Sequence, residues 1–416
     1  MRSMFFLCKK SDISTEKFVS SQNNLRQNQN IMRKIISLAT LALLLATATL
    51  TASAQEMMHI YPKTIKSGPF KTGHIQGIAV DTEKGYVYYS YTTILVKTDL
   101  QGNIIGSVTG LLGHLGDLDF NPQDGRVYGS LEYKNDAIGK GILKAEKSSF
   151  KPNNAFYIAI FDVDRITREG MSAEKDGIMT TVHLSTVVDD YLDTIELENG
   201  KWEHRLGCSG IDGVAFGPKF GKKGGKQLLT VTYGIYSDHK RSDNDYQVLL
   251  QYDVKKWKKY EHPLSQENMH REGPARPNGE YFAYTGNTNY GVQNIEYDED
   301  LKVWWLAVYA GSKPQFPNYN LFAIDGTIKP TKSALKGVPY IDKANVLTLW
   351  DKGEQDSKTG IRGWRFGVGS TGIAYLGKGM YYFSHNYATK QGQGSNIRLY
   401  NIGGVDSSTP MFYQMK

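Results

Sequence analysis

Two segments in the first third of the chain begin with histidine and then place polar side chains in an otherwise apolar pattern. His74 and His114 hold the same position in the two segments, and Asp117 follows His114 by three residues. Imidazole titrates near neutral pH, and a poorly solvated carboxylate needs a cation, hydrogen bonds or a raised pKa. We therefore predict an acid/base site at these residues. The structural alternatives are histidines bonded to loop backbone and a carboxylate capped by amides.

The same side chains also fit a metal site. With His270 as a third ligand, His114 and Asp117 could hold one divalent ion, either calcium or a transition metal. The sequence has no paired-cysteine zinc motif, no His-Glu-x-x-His segment and no helix-loop-helix calcium loop. The identity of any cofactor therefore stays open, with one divalent metal ion as the candidate.

Further candidates lie in segments rich in tyrosine, histidine and arginine. Aromatic rings beside amide groups suit sugar rings, and guanidinium groups suit a carboxylate or phosphate. We predict that His385 and Tyr236 join the catalytic group. The predicted substrate-binding residues are Gln76, Tyr133, Asp212, His239, Arg271, Gln293, Tyr309 and Arg365. For any one of them, ordinary packing or surface chemistry is the alternative.

An eight-residue motif that occurs five times must position these groups. The copies begin at residues 74, 114, 210, 291 and 369 and read HIQGIAVD, HLGDLDFN, GIDGVAFG, GVQNIEYD and GSTGIAYL. The fifth and seventh positions are always apolar, and this period of two is typical of a β-strand with one buried face. The fourth and sixth positions are small in three copies. The other two copies carry Asp117 with Asp119 and Asn294 with Glu296, of which Asp119 and Glu296 read mainly as structural carboxylates.

Two more strands follow each copy of the motif. The predicted second strands are 86–91, 126–133, 227–236, 303–309 and 380–385, and the third strands are 94–99, 156–163, 247–254, 320–325 and 396–402. A fourth strand is visible at 178–184 and 346–350. This repeated order predicts an all-β fold, a five-bladed β-propeller with long loop insertions. Six blades are the less favoured count, because the longest interval contains no sixth motif. Residues 58–65 are expected to close the ring against the last blade.

The segment Ile75-Gln76-Gly77-Ile78-Ala79-Val80-Asp81, followed by tyrosine-rich strands, resembles secreted β-propellers of the NHL, gluconolactonase and strictosidine-synthase type. The resemblance covers residues 71–402 as a repeat pattern and implies a propeller. It also implies, as an alternative function, a calcium-dependent lactonase or esterase. It places no ligand or catalytic residue of those families on this chain.

The N-terminal region has the features of an export signal. A basic start at 32–34, an apolar stretch at 35–50 and the small-residue site Ala52-Ser53-Ala54 predict a signal peptide at 32–54, cut after Ala54. A single membrane-spanning helix is the alternative. Residues 1–31 read as an upstream start artefact, and residues 55–416 as one propeller domain. We therefore expect a secreted or periplasmic protein with no membrane span in the mature chain.

Charge and cysteine content narrow the partners. Residues 1–54 carry seven of the 49 Lys and Arg but only two of the 42 Asp and Glu, so the rest of the chain is nearly neutral. This balance argues against nucleic-acid binding. After cleavage Cys208 stands alone, so no internal disulfide can form. A monomer that binds a small molecule or glycan is expected.

These features favour an enzyme, although they leave the alternative of a binding protein open. The first hypothesis is hydrolysis or elimination of a carbohydrate or a related polar or anionic small substrate, at one end of the propeller channel. The second is the calcium-dependent lactonase or esterase. The third is a non-catalytic propeller that binds a glycan or a protein.

Overall fold

The computed structural model describes residues 32–33, 36–37, 61–403 and 412–416. The chain divides into a first unit, Met1–Tyr61, and a second unit, Pro62–Lys416. The predicted signal peptide, its cleavage site and the upstream segment 1–31 lie almost wholly outside the described residues and stay predictions. Within the described residues, no helix has the length and apolar character needed to cross a membrane.

Five β-sheets succeed one another along the second unit. After β1 (Thr64–Phe70), blade one contains β2 (Gly77–Asp81), β3 (Tyr86–Tyr91), β4 (Ile94–Asp99) and β5 (Ile104–Thr109). The segment of blade two contains β6 (His114–Asn121), β7 (Arg126–Tyr133), β8 (Ala155–Phe161), β9 (Met171–Ser172) and β10 (Met179–His183). A separate ribbon of β11 (Thr194–Leu197) and β12 (Gly200–Glu203) follows.

The second half of the unit repeats this order. The segment of blade three contains β13 (Cys208–Pro218), β14 (Gln227–Ile235), β15 (Tyr246–Tyr252), β16 (His262–Pro263) and β17 (Gly279–Tyr284). Blade four contains β18 (Thr288–Asp298), β19 (Val303–Ala310) and β20 (Leu321–Asp325), followed by β21 (Thr331–Ser333), β22 (Ala344–Leu347), β23 (Glu354–Gln355) and β24 (Arg362–Gly363). Blade five contains β25 (Ile373–Gly377), β26 (Met380–Thr389), β27 (Gly392–Ile402) and β28 (Phe412–Gln414).

In the described part of the second unit, helices are few and occur in the insertions. Helix α1 (Ala137–Ala145) follows β7, and helix α2 (Ser185–Leu192) follows β10. Single 3₁₀ turns occupy 163–165, 205–207 and 254–256. The sequence pattern did not predict either α-helix, because both are short and neither belongs to the repeat.

The innermost strands form a closed ring. Strands β2, β6, β13, β18 and β25 contact one another in that order, and β25 contacts β2 again. The fold is therefore a five-bladed β-propeller, as the motif count predicts, and the alternative count of six is wrong. The apolar fifth positions of the motif are almost completely buried between the blades, as the period of two requires; they are Ile78, Leu118, Val214, Ile295 and Ile373.

Three blades are extended by a short outer strand that comes from the segment of the following blade. Strand β9 extends β5 of blade one, β16 extends β10 of blade two, and β22 pairs in parallel with β17 of blade three. In each case the connection within the next blade supplies the added strand. The predicted strand at 346–350 thus exists in part as β22, and it extends the preceding blade. Strand β1 pairs with β27 and closes the ring, although it begins later than predicted.

Three carboxylates lie near the axis, on the inner strands of blades two and four. Asp117 is almost fully buried, and its two oxygens accept the amides of Leu118, Val214 and Ile295 at 2.9–3.1 Å. These bonds join blade two to blades three and four. The prediction that Asp117 acts as an acid, a base or a metal ligand is therefore corrected: its oxygens are already occupied by backbone donors from three blades.

Asp119 lies two residues further along the same strand. We expect its carboxyl group to make the stability of the protein depend on pH. Its oxygens accept the amides of Phe120 at 2.7 Å and Phe216 at 2.6 Å. Burial nevertheless raises the pKa of Asp119 from 3.8 to about 7. Between these two pH values the folded state holds a proton that the unfolded state has released, so stability falls as pH rises through this range.

We expect Asp119→Asn to weaken this loss. Urea unfolding of wild type and variant at pH 5 and pH 8 measures it. The difference between the two proteins reports on Asp119 together with Glu296, whose pKa is raised by burial and by the charge of Asp119. The wild type should lose more stability than the variant between the two pH values. Equal losses would mean that Asp119 is ionised in the folded protein at both.

Candidate active site

A cavity of about 690 Å³ lies at one end of the propeller channel. Four blades contribute to it, and we call it the mouth cavity. Six of the residues predicted from the sequence line it: His74, Gln76, His114, Asp212, Gln293 and Tyr309. These residues lie together because equivalent positions of different blades meet at the axis, as the repeat predicts.

Two buried charged residues of the mouth cavity were missed. The prediction chose Tyr133, but the side chains of a strand alternate between its two faces. Tyr133 turns into the core, where its hydroxyl donates to Gln266 Oε1 at 2.9 Å. Its neighbours Glu132 and Lys134 face the cavity instead. The sequence feature that could have identified them is a pair of charged residues on either side of a tyrosine at the end of an apolar strand.

Glu132, Asp212 and His114 form the centre of the site. His114 Nδ1 lies 3.7 Å from Glu132 Oε1 and 3.9 Å from Asp212 Oδ1. This nitrogen is buried and has no hydrogen-bond partner among the described residues. Because both oxygens lie so close to one atom, they are less than about 8 Å apart, which is below the upper limit of the carboxyl separations that glycosidases use.

The two carboxyl groups have different partners. Lys134 Nζ lies 2.5 Å from Glu132 Oε1 and donates to the Ser209 carbonyl at 2.7 Å, and the Ile211 amide donates to Glu132 Oε2 at 3.1 Å. Asp212 Oδ2 accepts a side-chain amide, from Gln293 Nε2 at 3.0 Å. A cation and a backbone amide therefore stabilise the charge of Glu132, whereas no cation among the described residues bonds Asp212.

These surroundings set the charge states. Burial and the neighbouring Glu132 raise the pKa of Asp212 well above its usual value, which favours its protonated form. Burial also raises the pKa of Glu132, and the nearby Lys134 opposes this increase. Burial, Lys134 and His74 lower the pKa of His114 to about 3, so its imidazole is neutral. The two carboxyl groups beside this neutral imidazole therefore differ in surroundings, since Lys134 favours the charged form of Glu132 and no such cation bonds Asp212 among the described residues.

β-Bulges on the inner strands set the directions of these side chains. The pairing of inner strands with their neighbours shifts between residues 115 and 118, between 211 and 214, and between 289 and 292. Such bulges re-aim side chains and often lie beside active sites. Asp117 and Asp212 both lie within a shift, so strict alternation along the strand could not assign their directions.

Helix α1 forms one wall of the mouth cavity. Asp136 caps the helix by accepting the Gly139 amide at 2.8 Å, and its second oxygen accepts the Tyr236 hydroxyl at 3.2 Å. Tyr236 was predicted as a catalytic residue. It supports the helix cap and does not line the cavity.

The predicted metal ligands do not meet. His270 lies elsewhere, with its Nε2 at 2.8 Å from Thr181 Oγ1 and its Nδ1 accepting the Glu272 amide at 3.1 Å. Asp117 is occupied by backbone amides. In the described part of the chain, no three side chains of His, Cys, Asp or Glu converge as a metal site requires. The residues therefore do not fit the predicted divalent ion.

The remaining predicted residues lie outside the mouth cavity. Arg271 donates to the Asn154 carbonyl and to His183 Nε2, both at 3.0 Å. Arg365 donates to the Pro317 carbonyl at 2.9 Å. His239 bonds Ser312, and His385 bonds Tyr400. The two arginines predicted to hold an anionic group are thus absent from the cavity.

Comparisons with known proteins assign no family. No protein-family model matches the chain, and no curated protein matches its sequence. A GH43 β-1,3-galactosidase with galactodeoxynojirimycin aligns at 10% identity over 84% of this chain and 99% of its own, with a TM-score of 0.42. The PQQ domain of pyranose dehydrogenase from Coprinopsis cinerea aligns at 9% identity over 77% of this chain and 81% of its own, with a TM-score of 0.30.

A protein of unknown function from Bacteroides caccae aligns at 10% identity over 67% of this chain and 87% of its own, with a TM-score of 0.27. None of these neighbours transfers a residue role at this level of similarity. The propeller that the sequence resemblance implied is confirmed by the fold itself. The finer placement beside NHL, gluconolactonase and strictosidine-synthase proteins has no support from the comparisons.

Proposed function

We propose that the protein is an enzyme that hydrolyses a glycoside in the mouth cavity. The observation that carries the proposal is the pair of buried carboxyl groups from neighbouring blades, Glu132 and Asp212, both within 4 Å of one imidazole nitrogen. Glycosidases use two such groups on either side of the scissile bond. One group must be protonated and the other charged, which is the difference that the surroundings of this pair favour.

Each residue has a role in this reaction. Asp212, the neutral acid, gives its proton to the glycosidic oxygen as that bond breaks. Glu132, kept charged by Lys134, stabilises the developing positive charge at the sugar carbon and activates the water or attacks the carbon itself. The neutral His114 lies between them, with its Nδ1 at 3.7 Å from Glu132 and 3.9 Å from Asp212. Gln76 and Gln293 offer amide groups that suit sugar hydroxyls.

A neutral sugar fits better than an anionic one. In the described part of the cavity lining the cations are Lys134, which is paired with Glu132, and Lys71 at the rim. Elimination from an acidic sugar needs a cation on its carboxylate, and Arg271 and Arg365 are too far away to supply it. Hydrolysis is therefore preferred over elimination. A calcium-dependent lactonase is also less supported, since no ligand set for the ion converges.

A panel of 4-nitrophenyl glycosides tests the proposal. We expect the wild-type protein to release 4-nitrophenol from at least one sugar, and Asp212→Asn to bind that glycoside but turn it over at least about 100-fold more slowly. The exposed Asp342→Asn is the matched control and should keep full activity. A protein that binds glycosides without cleaving any would instead be the non-catalytic binder.

A further inference from the structure

Helix α1 presents one apolar face to the mouth cavity. Four residues at spacings of three and four share this face, and all of them line the cavity: Ile138, Gly141, Ile142 and Ala145. Lys140 and Lys144 are exposed away from it. On this face Ile142 is already buried and Ile138 is half-buried. The part of the face that stays open to the cavity gains burial when another apolar surface covers it.

The helix is held firmly in this position. Its first turn is capped by Asp136, and beyond its last turn Glu146 Oε1 accepts the Thr93 hydroxyl at 2.8 Å, which ties the helix to blade one. Gly139 packs so tightly that a Cβ there would lie 1.9 Å from the Lys134 carbonyl oxygen. The helix therefore crosses from blade two to blade one as a fixed wall.

The opposite side of the cavity is different in character. Tyr290, Gln293 and Tyr309 belong to blade four, across the ring from α1. Tyr290 has a φ of 64°, which is costly for a bulky residue, and its ring is 37% exposed. Its carbonyl accepts Gln293 Nε2 at 2.9 Å, which helps to hold this conformation. An exposed ring beside an amide group suits stacking on a sugar.

The cavity thus has an aromatic and polar side and an aliphatic side, with the carboxyl pair from blades two and three between them. We infer that the substrate is a glycoside with an apolar aglycone, which packs on Ile138 and Ile142 while the sugar lies toward Tyr290. This inference rests on the proposed hydrolysis for the identity of the bond between the two parts. A volume of about 690 Å³ has room for both.

Binding to the inactive Asp212→Asn protein tests the inference without the influence of leaving-group reactivity. Isothermal titration compares the methyl and octyl glycosides of each sugar in the panel, and 4-nitrophenol alone serves as a probe of the wall. We expect the octyl glycoside to bind at least about 10-fold more tightly than the methyl glycoside, because its extra methylene groups leave water. In Ile138→Asn this preference should disappear, with methyl glycoside affinity unchanged. Lys140→Ala, on the outer face of the same helix, should keep the preference.

The outcomes separate the two proposals. Equal affinities for octyl and methyl glycosides, or equal weakening of both by Ile138→Asn, would overturn the inference even if glycosides are cleaved. Tight, Ile138-dependent binding of octyl glycosides or 4-nitrophenol without cleavage of any glycoside would support the apolar wall and refute hydrolysis. Failure of every octyl glycoside and of 4-nitrophenol to bind would also overturn the inference.

Discussion

Asp117→Ala will lower the free energy of unfolding by about 3 kcal/mol or more, because it leaves three backbone N–H groups without an acceptor. The amides are those of Leu118, Val214 and Ile295, and the carboxylate they share is almost fully buried. Each orphaned donor in the interior costs about 1–3 kcal/mol. Since the amides come from three blades, the loss weakens the ring itself. Urea unfolding followed by tryptophan fluorescence measures the change.

A carboxylate in an exposed turn is the matched control. Asp99 accepts the amides of Gln101 and Asn103 within its own turn, where water can replace it. Asp99→Ala should therefore cost only about 1 kcal/mol. The prediction also separates a structural Asp117 from a catalytic one. An Asp117→Ala protein as stable as wild type but without activity would restore the acid/base role that the sequence suggested.

The second large effect is expected at Glu132. Glu132→Gln keeps an acceptor for the Ile211 amide, yet it removes the negative charge beside the reacting sugar. We expect kcat on the best 4-nitrophenyl glycoside to fall by about 10²–10⁴. The exposed Glu196→Gln on β11 is the control and should leave kcat unchanged. A loss of less than 10-fold would remove Glu132 from the mechanism.

The pH profile gives the same residue an independent test. Activity needs Glu132 charged, so it rises with pH through the pKa of Glu132, and it needs Asp212 protonated, so it falls through the pKa of Asp212. The charge of Glu132 helps to raise the pKa of Asp212. In Glu132→Gln the residual activity should therefore fall at lower pH than in wild type. An unchanged alkaline limb would mean that the two groups do not interact.

Much of the fold could be predicted from the sequence because the strands of one propeller blade follow one another along the chain. Alternation of apolar and small residues within eight positions predicts each inner strand, and five copies predict five blades. Strands β3, β4, β6 and β7 begin and end where the pattern placed them. The outer strands that each blade receives from the next could not be predicted from the sequence, because β9, β16 and β22 are only two to four residues long.

The convergence of several candidate residues in one cavity could be predicted for the same reason. Equivalent motif positions meet at the axis, so His74, His114, Asp212 and Gln293 fell into one cavity as expected. The errors arose where a residue's neighbours come from another blade. Asp117 looked reactive because the sequence cannot reveal that its oxygens meet amides about 100 and 180 residues away along the chain.

The sequence by itself thus determined the number of blades, the alternation of their inner strands and the end of the channel where polar groups gather, since each follows from residue type at short range. Only the tertiary structure decided which of the buried carboxyl groups binds backbone amides of three blades and which ones face the mouth cavity. Asp117 is bonded by amides of three blades, whereas Glu132 and Asp212 meet at His114. That distinction depends on ring closure and on bulges within the strands, and both are set by packing between blades.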